Sequence, residues 1–498
     1  MNNSSALTRY PEGSIRELWT ISLPLMISTL ASLFMIFTDR IFLAHYSIGA
    51  LNASVNAGTL AWALTAGIGM ITAMAEVFVA QYNGARRYRR LGLPVWQMIW
   101  FSLFSFLFFI PIAVWGAPAI FARDPYAEME IVYFRWLMFF GPSYALVTAF
   151  AGFFIGRGKT KMMIWLAVIA NLINILLDWA LIYGIPGWIP EMGIQGAAIA
   201  TCFGYFFESA FLAYLFLSKE NRSQFGTGNW RLNWGEMAKC CKVGFPQGIF
   251  YTLEVLGWTV FFWMMSSLSD KHITISSICQ SFAILLSFFC DGLSRGAAAV
   301  AGNLIGANRH DYVKKVLRSG FILLVLFSGI TSLILLIDPV DTVGLLFFSH
   351  FDASQGPAAL DASWQSSLKI CMIFVFIYIL FDGFRWLFSG LLTAAGDTLF
   401  LLIVGSLSVW IFLLAPVYAV VVRNNLSIEI AWGLTMTYGA LFYLVYWIRF
   451  KQGGWKKIDL VATPDSTTNP ALVQDRADRI IDKPGAELAL PKFADRPD

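Results

Sequence analysis

Four residues able to hold a cation or a proton lie in stretches that are otherwise apolar. They are Asp39 in "FMIFTDRIF", Asn174 and Asp178 in "NLINILLDWALIYG", and Thr201 in "GIQGAAIAT". Two carboxylates, an amide and a hydroxyl form an all-oxygen set that suits a hard cation, or one proton held between two acids. Asn171, Asn174 and Asp178 recur at spacings of three and four, which stacks them on one face of a helix. Neighbours such as Asp39 and Arg40 do not share a face, so Arg40 is expected to snorkel outward while Asp39 turns inward. A second set joins Glu254 and Asp382, with Arg385 three residues after Asp382 and placed to pair with it along the helix. Asp291 and Arg295, four apart, read as a structural pair of the same kind, and Glu76 and Glu208 are weaker candidates. An ionisable group deep in a bilayer costs on the order of 3 kcal/mol, so each of these acids is a functional hypothesis. The plain alternative for the first set is a structural hydrogen-bond cluster.

The bilayer enters through the composition. Of 498 residues, 58% are hydrophobic, 16% aromatic and only 13% charged, too apolar for a soluble domain of this size. Runs such as "FSLFSFLFFIPIAVWGA" (101–117) and "FILLVLFSGITSLILLI" (321–337) approach the roughly 20 residues that a helix needs to cross hydrocarbon. Alternating barrel patterning is absent, so the expected fold is an all-α polytopic membrane protein. Twelve helices are predicted near 15–44, 49–80, 94–118, 129–156, 162–184, 193–217, 243–268, 273–302, 317–338, 366–394, 398–422 and 427–449. The first apolar run is too long for a cleavable signal and is expected to stay in the protein.

Charge distribution orients these helices. Arg86, Arg87, Arg89 and Arg90, then Arg157, Lys159 and Lys161, then Lys219 to Lys242, then Arg309 to Arg318, fall in alternate loops, whereas the others hold only Arg123, Lys271 and Arg423. By the positive-inside rule the basic set is cytoplasmic, as are both termini; the membrane expected is the inner cell membrane. The six cysteines lie in or beside the spans and imply no disulfide framework. From about Gly453 the composition turns polar and reads as a disordered tail.

The chain also repeats itself. Pro24 matches Pro246, Gln81 matches Asn303, and Gly84-Ala85 matches Gly306-Ala307, all at an offset of 222 residues, while "GKT" (158–160) matches "GDT" (396–398) at 238. The roughly 16 extra residues fit in the outer loop 338–363. Two parallel six-helix bundles follow, related by an axis along the membrane normal, with a central cleft at their interface. The expected division is 1–217 for the first bundle, 218–242 for a polar cytoplasmic linker, 243–450 for the second bundle and 451–498 for the tail. At 1.5 Å per residue, Asp39 and Asp178 lie roughly 9 Å from the outer face, Thr201 about 12 Å and Asn174 about 15 Å, while Glu254 and Asp382 lie roughly 21 and 24 Å deep.

Motifs for other chemistry fail. "GFFIGRGKT" (152–160) has Phe153 where a phosphate-binding loop needs glycine, and no strand precedes it. The four histidines lack zinc-site spacing, and the GxSxG at 292–296, "GLSRG", lies inside a predicted span with no strand before it, so no nucleophile elbow appears.

With Pro24, Asp39, the Gln81-x-x-Gly84-Ala85 loop, the 171–184 helix and "GIQGAAIAT" taken together, residues 15–450 resemble the MATE family of multidrug and toxic compound extrusion transporters. The resemblance implies a secondary antiporter, not an enzyme, that exports organic, often cationic, compounds in exchange for Na+ or H+. It implies that Asp39, Asn174, Asp178 and Thr201 form the cation or proton site of the first lobe. It also implies that Glu254 and Asp382 form the acidic pair of the second lobe in the bacterial NorM-like branch, a pattern that Arg385 does not match. Bending of the first helix, eased by Pro24, would link the first site to the cleft. Aromatic and Met side chains are expected to line that cleft for flat organic cations. The partners expected are a small organic substrate and the bilayer, with no nucleic acid, no cofactor beyond the coupling ion, and a monomeric chain. A lipid-linked oligosaccharide flippase of the same wider superfamily is the alternative within transport, and it would need a cationic cleft. An intramembrane enzyme is the alternative outside it, and it would need a nucleophile paired with a base.

Overall fold

The structure, a computed structural model, describes residues 7–335 and 362–461. Most of the outer loop 338–363, expected to carry the extra residues of the second half, lies outside the described residues, as does the tail from residue 462 on. Twelve helices among the described residues are long and apolar enough to cross a membrane. They are α1 (Ile15–Tyr46), α2 (Ile48–Gly84), α3 (Tyr88–Phe121), α4 (Ala127–Gly156), α5 (Lys161–Ile182), α6 (Ile194–Phe216), α7 (Trp234–Leu268), α8 (Asp270–Gly306), α9 (His310–Leu335), α10 (Ala362–Ala395), α11 (Thr398–Val422) and α12 (Ile428–Gln452). No strand occurs among the described residues, which hold only an isolated bridge between Ile185 and Ile189. Helices α1–α6 form one bundle and α7–α12 the other.

Caps rather than hydropathy explain where these helices start. Ser14 accepts from the Glu17 amide at 3.2 Å while the Glu17 carboxylate accepts from the Gly13 amide at 2.6 Å, a reciprocal arrangement that satisfies two free donors at the start of α1. Asn233 accepts from the Glu236 amide at 3.1 Å, and α7 therefore begins at Trp234, two turns before the apolar run predicted from residue 243. The expected polar linker 218–242 is thus partly helical, with a further helix at Lys219–Phe225. Trp96 and Trp100 of α3 donate to the carbonyls of Thr227 and Trp230, each at 2.8 Å, and hold that segment against the first bundle. The start of the expected tail is also ordered by packing. Trp455 is buried, stacks on Phe450 at 5.1 Å and donates to its carbonyl at 3.0 Å.

The internal repeat is visible in the backbone. Arg86 and Asn308, 222 residues apart, are both left-handed at φ 58°. The Arg86 amide bonds the Asn83 carbonyl and the Arg87 amide that of Tyr82, and the amides of Asn308 and Arg309 bond the carbonyls of Ile305 and Leu304 in the same way. Gly158 and Gly396, in the "GKT" and "GDT" turns, have φ of 70° and 85°, which only glycine adopts without strain.

The two bundles meet through equally symmetric contacts near the basic side of the molecule. Gln81 donates to the Ala394 carbonyl at 2.7 Å, and its repeat partner Asn303 donates to the Gly156 carbonyl at 2.8 Å, so each bundle closes the end of the other's fourth helix. A Cβ on Gly84 would overlap the Asn303 carbonyl, and one on Gly306 would overlap that of Gln81. Farther along, α1 packs on α8 where Ser22 meets Gly296 and Met26 meets Gly292, and α2 packs on α7 where Gly67 meets Gly248. Among the described residues, hydrogen bonds between the bundles lie in this half or near the middle, the last being Trp62 Nε1 to the Tyr251 hydroxyl at 3.3 Å. The bundles are clasped on the basic side.

Candidate cation site and cleft floor

The four residues singled out in the first bundle converge. Asp39 on α1 is buried while Arg40 is exposed, in keeping with neighbours that do not share a helix face. Thr201 of α6 directs its hydroxyl to Asp39 Oδ2 at 3.2 Å and to its own helix at the Ala197 carbonyl, 3.1 Å away. The Asn174 amide, oriented with its nitrogen toward the acids, donates to Asp39 Oδ1 at 2.9 Å and to Asp178 Oδ2 at 3.3 Å. Asn174 and Asp178 are wholly inaccessible, and Asp178 Oδ1 has no protein partner. Asn171, on the same face of α5, turns to its own helix and bonds the Ala167 carbonyl at 2.9 Å, so it stays out of the cluster. Pro24 lies in the interior of α1, which continues through it as a helix.

Around this polar cluster the packing is apolar, with Leu43, Ala197, Ala198, Ile182 and Tyr133 in the same buried core. Two carboxylates sharing one amide in such surroundings repel each other if both are bare, and the amide protons neutralise neither. A proton or a small cation between them removes the repulsion, and the free Asp178 oxygen gives it a ligand. The arrangement has the chemistry to hold one positive charge.

The acids of the second bundle also meet, but through Arg385. Its guanidinium bonds Asp382 Oδ1 at 2.6 Å and Glu254 Oε1 at 3.0 Å, while Trp386 Nε1 donates to Asp382 Oδ2 at 2.9 Å. The Arg385 side chain is only 4% exposed and lies over the Phe442 ring at 4.9 Å. A resident guanidinium therefore stands between the two acids and offsets one of their two negative charges. Arg385→Met is expected to lower the apparent unfolding temperature in detergent clearly, since removing one partner of a buried ion pair costs about 3–5 kcal/mol. Glu254→Gln, which leaves Arg385 bonded to Asp382, should lower it much less. Equal temperatures for wild type and Arg385→Met would show that the trio is not what holds α7 against α10.

Between the bundles the structure assembles a group that sequence reasoning could not select among 80 aromatic positions, because helix faces in an apolar chain carry no contrast. Trp62 packs edge-on to Tyr144 at 5.3 Å, Tyr144 packs on Tyr205 at 5.2 Å, and Tyr251 of the second bundle joins through the Trp62 hydrogen bond. Just toward the basic side, the expected pairing of Asp291 with Arg295 gives way to contacts across the interface. Thr29 on α1 donates to Asp291 Oδ2 at 2.9 Å, and Arg295 Nη2 lies 3.8 Å from Glu76 Oε2 on α2. These partners win because α8 lies directly against α1 and α2 here.

Comparison with known proteins agrees with this architecture. The sequence profile of the MatE family matches residues 24–180 and again 246–418, and its two matches begin at Pro24 and Pro246, the pair that anchors the internal repeat. A probable multidrug resistance protein NorM from Thermotoga maritima is 23% identical over 425 residues, covering 84% of this chain and 88% of that protein. Another from Geobacillus kaustophilus is 25% identical over 338 residues, covering 66% and 74%. Among solved structures, an outward-facing multidrug resistance MATE family transporter of the MOP superfamily aligns with a TM-score of 0.76 at 17% identity, covering 92% of this chain and 99% of that one. A eukaryotic MATE transporter, AtDTX14, aligns with a TM-score of 0.76 over 89% of this chain and 96% of its own. The duplicated helical bundles, the paired profile matches and the shared fold establish that this chain belongs to the MatE family, a multi-pass membrane transporter and not an enzyme.

Proposed function

We propose that this protein is a cation-coupled exporter of organic, mainly cationic compounds that works by alternating access in the inner cell membrane, as a monomer with both termini cytoplasmic. The observation that carries this reading is the buried pair Asp39 and Asp178, bridged by Asn174 and completed by Thr201, in a bundle clasped to its partner on the basic side. On the positive-inside assignment the clasped side is cytoplasmic, so the conformation described is closed to the cytosol. Na+ or H+ enters the first-lobe site from outside, and its binding favours a different packing of α1 from the one that holds substrate. Antiport needs no more than that opposite preference of the two ligands for two states. Glu254 and Asp382 are assigned to holding the second bundle together, since Arg385 already fills the space between them. The names of the NorM relatives support multidrug substrates.

A flippase of pyrophosphate-linked lipids would need free positive charge in the cleft. Arg385 is neutralised, Arg135 donates to the Ala113 carbonyl at 3.2 Å, and Arg295 lies beside Glu76, which disfavours that reading. The direct test is efflux of an organic cation from proteoliposomes with Na+ and H+ gradients imposed one at a time. One gradient should accelerate efflux and the other should not, which also names the ion. Efflux indifferent to both would refute coupled export.

A further inference from the structure

Glu76 is a buried acid that the cation site does not use. It sits in the inner part of α2, where Gly152 and Gly156 of α4 press directly against its backbone, so it moves with the first bundle. Arg295 belongs to α8 and moves with the second. The two charges stand 3.8 Å apart across the interface, beyond hydrogen-bond reach, and the Arg295 side chain is 37% exposed. Asp291, one turn away on α8, is held by Thr29. The aromatic group of Trp62, Tyr144 and Tyr251 lies outward of this pair, with the Tyr144 ring against Gly69 of α2, about two turns from Glu76, and Trp62 about 20 Å from Glu76 along the same helix.

We propose that Glu76 is a docking carboxylate for the organic cation on the cytoplasmic side, and that Arg295 is a built-in competitor that replaces the cation when that side closes. The proposal rests on the export reading above. Opening the cytoplasmic side requires the clasp to part and α8 to leave α2. Arg295 then keeps Asp291 on its own helix as a counter-charge, whereas Glu76 is left facing the opening without its cation. A carboxylate in apolar surroundings demands a positive partner, and an organic monocation arriving from the cytosol supplies one. On closure the guanidinium returns, and two cations face one carboxylate. The substrate is driven off Glu76 toward the aromatic group, where ring faces hold a flat cation without a full counter-charge. Cation binding and cytoplasmic closure are therefore antagonistic, and the antagonism is reciprocal.

The test uses the full chain in nanodiscs, with ethidium as an aromatic monocation whose binding is read by fluorescence anisotropy and whose efflux is read in proteoliposomes. Glu76→Gln, which keeps shape and removes charge, should weaken ethidium binding about tenfold or more, as expected for losing a partly desolvated charge pair. Arg295→Met should tighten binding and slow turnover, because release loses its competitor, and Arg295→Lys should restore both toward wild type. The double variant Glu76→Gln/Arg295→Met should bind like Glu76→Gln alone, since Arg295 acts only through Glu76. Weaker binding in Arg295→Met, or equal binding across all the variants while gradient-driven efflux persists, would overturn this assignment alone. Absence of both saturable ethidium binding and gradient-driven efflux in the wild type would overturn the export reading and this inference with it.

Discussion

Asp39→Asn is expected to abolish gradient-driven efflux, lowering the coupled rate by about a hundredfold, the upper range for the loss of one coupling interaction. The substitution keeps the size of the side chain and the bond to Thr201, and it removes the repulsion between Asp39 and Asp178. Folding should therefore be unharmed, and the unfolding temperature in detergent should stay level or rise. That pairing of outcomes separates a coupling site from a structural cluster. If the acids were only a hydrogen-bonded brace, the amide would serve as well and efflux would persist. Asp178→Asn should behave the same way, because a single remaining carboxylate beside Asn174 no longer forms the two-acid site. Full efflux by either variant under an imposed gradient would remove the first-lobe site from the mechanism.

The second large effect is expected at the clasp. Gly84 and Gly306 stand so close to the carbonyls of Asn303 and Gln81 that any β-carbon overlaps backbone, which cannot swing aside as a side-chain end does. Gly84→Val should prevent cytoplasmic closure and shift the protein toward the state open on that side. Taking a two-state equilibrium from 99:1 to 1:99 requires about 5.5 kcal/mol, and a steric overlap with main chain at a close-packed interface is of that order. Spin labels at Arg90 in the first bundle and Lys314 in the second should report a longer distance, and transport should fall more than tenfold. Gly306→Val should give the same result by the repeat symmetry. An unchanged distance in both variants would mean that the clasp does not set the conformation.

The clasp also shows what in this chain was legible before folding. Gln81, Asn303, Gly84 and Gly306 stood out in the sequence only as matched positions of a duplication, and their task appears when Gln81 reaches Ala394 and Asn303 reaches Gly156. Asp39, Asn174, Asp178 and Thr201 could be named because a polar residue in an apolar span is conspicuous and because α5 presents two of them on one face. Their distances, and the turning away of Asn171, depend on how α1, α5 and α6 pack. The two acids of the second bundle were placed at matching depth from the sequence, whereas the guanidinium lying between both of them was not foreseeable from intrahelical spacing alone.

The sequence by itself determined that the chain spans a membrane, roughly where its helices run, that it is duplicated, and that Asp39 and Asp178 are acids set in apolar spans. These properties follow from local hydropathy and from identities at fixed offsets, which need no knowledge of packing. Tertiary structure alone decided that Asp291 and Arg295 part company, that Trp62 and Tyr251 meet, and where the two bundles clasp each other. The reason is physical: in lipid an apolar helix has no polar face to mark its interior, so contacts between helices are selected by shape and by the few charges that find partners across the interface.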